Sequence, residues 1–261
     1  MARIGKFLFS LYFWTFFVID ALIMFTLCFL SWLFTFWWDP RVRLLNYVSA
    51  FWGASQIYCN PLWRVTIEGR EKIDPTIPTL LVSNHQSSFD IYLIYMLYKP
   101  FHWVSKKSNF YVPFVGWNMI FMRTIGFDRD SRKDILRMVK DSVKRLEQGI
   151  SLIIFPEGER TADGRLIPFL GGAFAIAKKA KVRIQPIALS GTYQILPRHQ
   201  WMLNPFANLK LEVLDPIPLE TVEAHSTDEL AKMTYDLIAD RLPPEHLPLQ
   251  GEPKRAMEPN D

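Results

Sequence analysis

A histidine and an aspartate five positions apart, His85 and Asp90 in SNHQSSFD (83–90), are the first residues whose types and spacing suggest chemistry. An aspartate bonded to one imidazole nitrogen fixes the tautomer and makes the other nitrogen a better base. Five residues on a regular helix are turned about 140° apart, so the pair cannot share one helical face. It can converge if His85 stays at the end of a strand and Asp90 lies in the first turn of the next helix, with Ser87 or Ser88 as N-cap. Both then stand at the carboxyl end of a strand, where open α/β sheets bind ligands. The same pair, taken alone, also fits an ordinary strand–helix loop.

A second candidate is IIFPEGER (153–160). A buried strand is expected to end in Pro156-Glu157-Gly158, a sharp turn that exposes Glu157 and Arg160. Gly158 lets backbone approach a ligand closely. Arg160 can bind phosphate in bidentate fashion, and Glu157 can accept a hydroxyl proton. A plain charged surface turn is the competing reading. Further cations lie between the two motifs: Lys106 and Lys107 after a strand, and Arg129 in GFDRD (126–130). Most such side chains are simply solvated. Gly171-Gly172 opens a helix whose free N–H groups could meet an anion, or is a loop glycine pair. The two cysteines, Cys28 and Cys59, have no metal-type spacing and read as unpaired thiols of a reducing compartment. The five histidines are scattered, so no metal site is expected.

These residues need a scaffold and, at the N-terminus, a membrane. Residues 7–38 are almost wholly apolar and aromatic, interrupted by Asp20. The run is too long and too bulky at its end for a cleaved signal peptide, which has an apolar core of about 7–15 residues. It is long enough for one tilted span, at about 20 residues per crossing, or for a hairpin of two shorter helices in one leaflet. Arg3 and Lys6 precede it, and Arg41 and Arg43 follow it. Two basic flanks favour the hairpin, with both ends cytoplasmic. Asp20 is tolerable near a turn or against protein. A net charge of +4 and a pI near 9.0 suit a protein lying on anionic lipid but also many soluble ones.

Beyond residue 41 an amphipathic helix (41–58) leads into strand and helix patterns in alternation. Strands are expected at 63–69, 79–83, 101–105, 151–155, 182–189 and 209–213. Helices are expected at 89–98, after Pro113, and at 132–148, 171–180 and 227–241. Pro186 should make its strand irregular or place it at an edge. The expected fold is α/β, a mixed and largely parallel sheet flanked by helices, with an N-terminal membrane-embedded helical segment. The implied organisation is an anchor (1–40, hairpin or single helix), a main domain (41–242) and a Pro-rich flexible tail (243–261).

In order along the chain, NHxxxxD, a Lys-Lys pair, an FDR-type segment, FPEGxR and a Pro-containing strand resemble the glycerolipid acyltransferase family. The closest type is bacterial 1-acylglycerol-3-phosphate acyltransferase. The resemblance covers about residues 62–215 and rests on NHQSSFD and FPEGER together. It implies His85 as general base and Asp90 as its partner. It implies Arg160 and Lys106 on the acceptor phosphate with Arg129 assisting, Glu157 positioning the glycerol hydroxyl, and Gly158 shaping the turn. The implied reaction moves an acyl chain from acyl-CoA or acyl carrier protein, as co-substrate and without a cofactor, to the sn-2 hydroxyl of 1-acylglycerol-3-phosphate, giving phosphatidic acid, with another lysophospholipid or lipid acceptor as the alternative. Membrane lipids are implied partners, nucleic acid is not, and the expected location is a bacterial inner membrane with the catalytic domain on its cytoplasmic face. The chain departs from the family pattern twice: Glu159 stands where a small Thr is common, and Leu170 where a Lys is common.

Two rivals remain at this point. A serine hydrolase would need a nucleophile elbow, and no GxSxG occurs. A lipid-binding protein that kept the fold is the non-enzymatic alternative.

Overall fold

Between Gly5 and Pro40 no glycine or proline interrupts the apolar run. In the computed structural model, which describes residues 2–249, that run forms one continuous helix, α1 (Ala2–Thr35). The expected hairpin is therefore corrected to a single helix, because nothing in the run breaks one. Nor does α1 stand away from the rest. Its inner face is packed along the domain. Phe13 lies 5.5 Å from Phe89 and 5.8 Å from Trp63. Asp20 accepts from Ser55 Oγ (2.9 Å) and Gln56 Nε2 (2.5 Å) of α2 (Arg43–Tyr58). Trp32 stacks on Phe121 at 4.7 Å. The outer face exposes Leu8, Leu11, Val18, Ile19, Leu22, Ile23 and Phe34.

The domain follows as β1 (Trp63–Glu68), β2 (Thr79–Ser83), α3 (Phe89–Tyr95), β3 (His102–Lys106), α4 (Val115–Phe121), β4 (Ile125–Phe127), α5 (Arg132–Glu147), β5 (Leu152–Ile154), α6 (Gly172–Ala180), β6 (Arg183–Ser190), α7 (Thr192–Ile195), β7 (Ala207–Val213), α8 (Leu219–Ala224) and α9 (Thr227–Ala239). The seven strands form one sheet in the order β1-β7-β6-β2-β5-β3-β4. Every neighbouring pair is parallel except β6–β7. Strand alternation sends Leu81 and Ile153 into a core shared with α1, α2 and α3. It sends Leu80, Val82 and Leu152 into a second core shared with α5, α6 and α9.

Pro186 does not mark an edge. β6 lies between β7 and β2, inside the sheet. The proline is tolerated because the β7 ladder breaks beside it: antiparallel pairing ends at Ile187↔Val213 and resumes only as an isolated bridge at Ile184↔Ile217. A missing N–H at 186 therefore costs no ladder bond, while its carbonyl accepts from Leu214 N at 3.0 Å. The tail boundary also moves. Residues 243–249 are ordered against the domain, with a 3-10 turn at Pro244–His246, His246 O accepting from Leu166 N, and Leu247 O from Arg165. The remainder of the expected flexible tail lies outside the described residues.

Candidate active site

Five strands, β6, β2, β5, β3 and β4, run in the same direction, and their carboxyl ends form one edge of the sheet. Each contributes to one locus: Thr192 after β6, His85 and Asp90 after β2, residues 156–160 after β5, Lys106 at the end of β3, and Arg129 after β4. The two motifs meet because β2 and β5 are paired neighbours, with Val82 opposite Ile154. The loop after β2 is then stitched to the turn after β5. His85 N donates to Glu157 Oε1 at 2.9 Å, and His85 O accepts from Thr161 N at 3.0 Å.

His85 Nδ1 lies 2.8 Å from Asp90 Oδ2. The same oxygen accepts from the backbone N–H of Gln86 (2.6 Å) and Ser87 (2.8 Å), while Oδ1 accepts from the Thr192 hydroxyl. Asp90 thus fastens the helix start itself, and of the two expected capping serines Ser87 Oγ accepts from Phe89 N at 3.4 Å while Ser88, at the N-cap position, makes no side-chain capping bond. A carboxylate can only accept, so Nδ1 carries the proton and Nε2 is the basic nitrogen. The ring stacks on Phe155 at 3.9 Å and 8°. With Asp90 fully buried and the His85 side chain 14% exposed, the imidazole is fixed in two directions and open in one.

That opening is a cavity of about 390 Å³. His85, Lys106, Arg129, Gly158 and Arg160 line it from the strand ends. Phe17, Trp52, Tyr92, Tyr95, Trp103 and Met119 give it an apolar wall drawn largely from α1, α2, α3 and α4. Arg160 donates to Ser88 Oγ at 2.7 Å. Arg129 keeps its Nε buried without a protein partner; burial lowers its pKa, offset by the Glu159 carboxylate. Gly158 sits at φ +76°, and a Cβ there would meet Leu170 Cδ1 at 3.1 Å, so the turn requires glycine.

Glu157 is corrected. The turn does not expose it: it is 6% exposed and does not line the cavity. The local string PEGE resembles a surface turn, but the neighbouring β2 loop covers it. Burial pushes its carboxyl well above the usual carboxylate range. Asp90 and Glu159 add to that shift, and the N–H groups of His85 and Ile167 oppose it. Its Oε2 is buried without a partner. Glu157 holds the backbone of His85 rather than facing the cavity. Lys107 turns away to Asp134. Gly171-Gly172 lies apart, with Gly171 beside Thr227 and Asp228. Thr192 was not among the sequence candidates; its only sequence signal is a hydroxyl directly after Gly191 at the end of a core strand.

The chain is similar to known proteins in sequence and in fold. A family model described as Acyltransferase matches residues 64–190. A 1-acyl-sn-glycerol-3-phosphate acyltransferase of Chlamydomonas reinhardtii is 33% identical over 202 residues, covering 77% of this chain and 59% of that protein. An uncharacterized acyltransferase of Schizosaccharomyces pombe is 34% identical, covering 71% of this chain and 67% of that protein. The crystal structure of the 1-acyl-sn-glycerophosphate acyltransferase PlsC from Thermotoga maritima has the same fold, with a TM-score of 0.79 at 24% identity, over 91% of this chain and 95% of that one. The chain belongs to the acyltransferase family. It spans 45–59% of the length of the Chlamydomonas reinhardtii, Arabidopsis thaliana and Brassica napus relatives.

Proposed function

We propose that this protein transfers a fatty acyl chain from an acyl thioester, acyl-CoA or acyl carrier protein, to the sn-2 hydroxyl of 1-acylglycerol-3-phosphate, giving phosphatidic acid. The observation that carries the reading is a histidine base, locked on a buried aspartate, facing a cavity with cations on its strand-end side and apolar walls elsewhere. Arg160, Arg129 and Lys106 supply the charge a phosphomonoester needs, and the aromatic wall suits an acyl chain. His85 Nε2 takes the hydroxyl proton as the glycerol oxygen attacks the thioester carbon. The C–S bond then breaks, and the proton passes to the departing thiolate. No covalent acyl-enzyme is invoked. Ser87 Oγ is buried and donates to Leu196 O, and Ser88 Oγ accepts from Arg160, so neither serine is paired with the base.

The outer face of α1 gives the membrane reading. A helix packed along its length on the domain cannot leave it to cross a bilayer, and its exposed face is apolar. It suits a helix lying in the interface plane, which also keeps Arg3, Lys6, Arg41 and Arg43 on one side of the membrane.

The test measures thiol release from acyl-CoA and from acyl carrier protein, with and without lysophosphatidate. Release that requires the acceptor and disappears in His85→Ala is the expected result. Acceptor-independent release would make the protein a hydrolase, and no release with either donor would favour lipid binding alone. Arg160→Ala should raise KM for lysophosphatidate about 10- to 100-fold, as loss of a charge-assisted bond does, and change KM for a phosphate-free acceptor little.

A further inference from the structure

Asp90 is usually considered for what it does to the histidine; the structure also shows what is done to Asp90. Its Oδ2 has three donors, two of them backbone N–H groups that come with the helix start. Its Oδ1 has one, the hydroxyl of Thr192, 102 residues further along the chain. Both side chains are wholly buried. We propose that Thr192 is a positioning residue for acyl transfer: its hydroxyl, donated to Asp90 Oδ1, sets the carboxylate plane that aligns His85. The inference rests on the acyl-transfer reading above.

Three features favour a directed bond over an incidental contact. First, the loop after β2 is registered against β6 by the Asn84 side chain, which donates to Leu189 O (2.9 Å) and accepts from Leu189 N (2.8 Å). Second, the turn that delivers Thr192 is built for close approach: Gly191 has φ +88°, and a Cβ there would lie 1.9 Å from Asn208 O. Third, the hydroxyl has two acceptors in reach, Asp90 Oδ1 and, at 3.4 Å, Gln86 Oε1. It has one proton, and an ionised carboxylate is the stronger acceptor. Gln86 is anchored separately, its Nε2 donating to Gly164 O at 3.0 Å. Without Thr192, Oδ1 would be a buried charged oxygen with no donor, and the carboxylate could rotate about its remaining bonds.

Thr192→Val keeps the shape and removes the hydroxyl; Thr192→Ser keeps the hydroxyl and removes a methyl. Thr192→Val should lower kcat about 10- to 100-fold while both KM values move less than about threefold, and Thr192→Ser should recover most of the loss. In an Asp90→Ala background, Thr192→Val should change kcat less than about twofold, since the hydroxyl no longer has its target. A wild-type kcat in Thr192→Val, a Ser variant as impaired as the Val variant, or losses that multiply in the double variant would each overturn the role. A second readout does not need turnover. The His85 Nδ1–H proton resonance, identified by its loss in His85→Ala, should shift or broaden in Thr192→Val and stay in place in Thr192→Ser. If wild type shows no transfer, the function reading fails, and this resonance alone decides the Thr192–Asp90–His85 linkage. If the Val variant does not fold, Thr192→Ala is measured in its place.

Discussion

Two buried carboxylates flank His85, and they are held in opposite ways. Asp90 accepts four hydrogen bonds, spread over both oxygens. Glu157 has the N–H groups of His85, bonded to Oε1, and of Ile167 beside it, while Oε2 makes no hydrogen bond of ordinary geometry. Burial without enough donors favours the protonated acid at Glu157, whereas the donors around Asp90 are those an ionised carboxylate requires. Both residues follow a core strand in a short turn, and their side-chain chemistry is nearly the same. Donor count, set by which strand lies next door, separates the residue paired with the imidazole from the residue that holds the backbone of His85.

The strongest way to break this contrast is at Asp90, where truncation and amide substitution should differ. Asp90→Ala removes the acceptor for Nδ1 and should lower kcat about 10³- to 10⁴-fold. In Asp90→Asn, the three donors converging on the Oδ2 position select the amide oxygen for that place and leave the NH₂ facing Thr192. The tautomer is then kept and only the charge is lost, so kcat should fall about 10- to 100-fold. Steady-state kinetics on both variants decides this; equal losses would mean that the amide of Asp90→Asn does not take that orientation.

Glu157 should respond in stability rather than in turnover. Its carboxyl is raised in the folded chain and ionises from about 4.5 in the unfolded one. Above that pH the folded state keeps a proton the unfolded state has released, so stability falls as pH rises toward the raised value. Glu157→Gln keeps an acceptor for His85 N and removes the titration. The melting temperature of the variant should therefore gain on wild type as pH rises from about 5 toward 7. Its kcat should stay within about threefold. A constant offset across that range would show that Glu157 is ionised in the fold.

How much of this was legible beforehand follows from the range of the interactions. After α1, whose expected hairpin is one helix, the long elements have strong periodicity, and their positions and types agree with the sequence reading, as do the pairing of His85 with Asp90 and the convergence of Lys106, Arg129 and Arg160. β4, three residues long, and α8, six, are too short to carry a pattern. Of the two readings of Pro186, the irregular strand holds and the edge does not, because the ladder to β7 breaks beside it inside the sheet. Glu157 and Thr192 depend on strand order: one is covered by β2, and the other arrives from β6 across 102 residues. Asp20, the one acid in the apolar run, is explained by α2, which meets it with Ser55 and Gln56.

The smallest expected effect lies at the cavity mouth, where the chain departs from the family pattern. Glu159 pairs with Arg198 at 3.1 Å, and the same guanidinium donates to the Arg160 carbonyl. The added carboxylate is therefore largely offset by a cation beside the arginine proposed to bind phosphate. Leu170 packs over Gly158 and is half exposed, so a lysine there could extend toward the mouth without leaving a cavity. Glu159→Thr with Leu170→Lys removes one negative charge, releases Arg198 and adds one ammonium. At an effective dielectric near 20, a charge about 8 Å away acts with roughly 2 kcal/mol before screening. Exposure and a Debye length of about 8 Å at physiological salt reduce that severalfold. The expected outcome is a rise of about three- to tenfold in the preference for lysophosphatidate over a zwitterionic lysolipid, measured by competition in one vesicle preparation. Because the gain is electrostatic, it should shrink between 50 mM and 500 mM salt, levels chosen on the order of those over which surface charges become screened. A ratio that is unmoved at low salt would show that neither position reads the head group, and that the Glu159–Arg198 pair serves only to hold the turn.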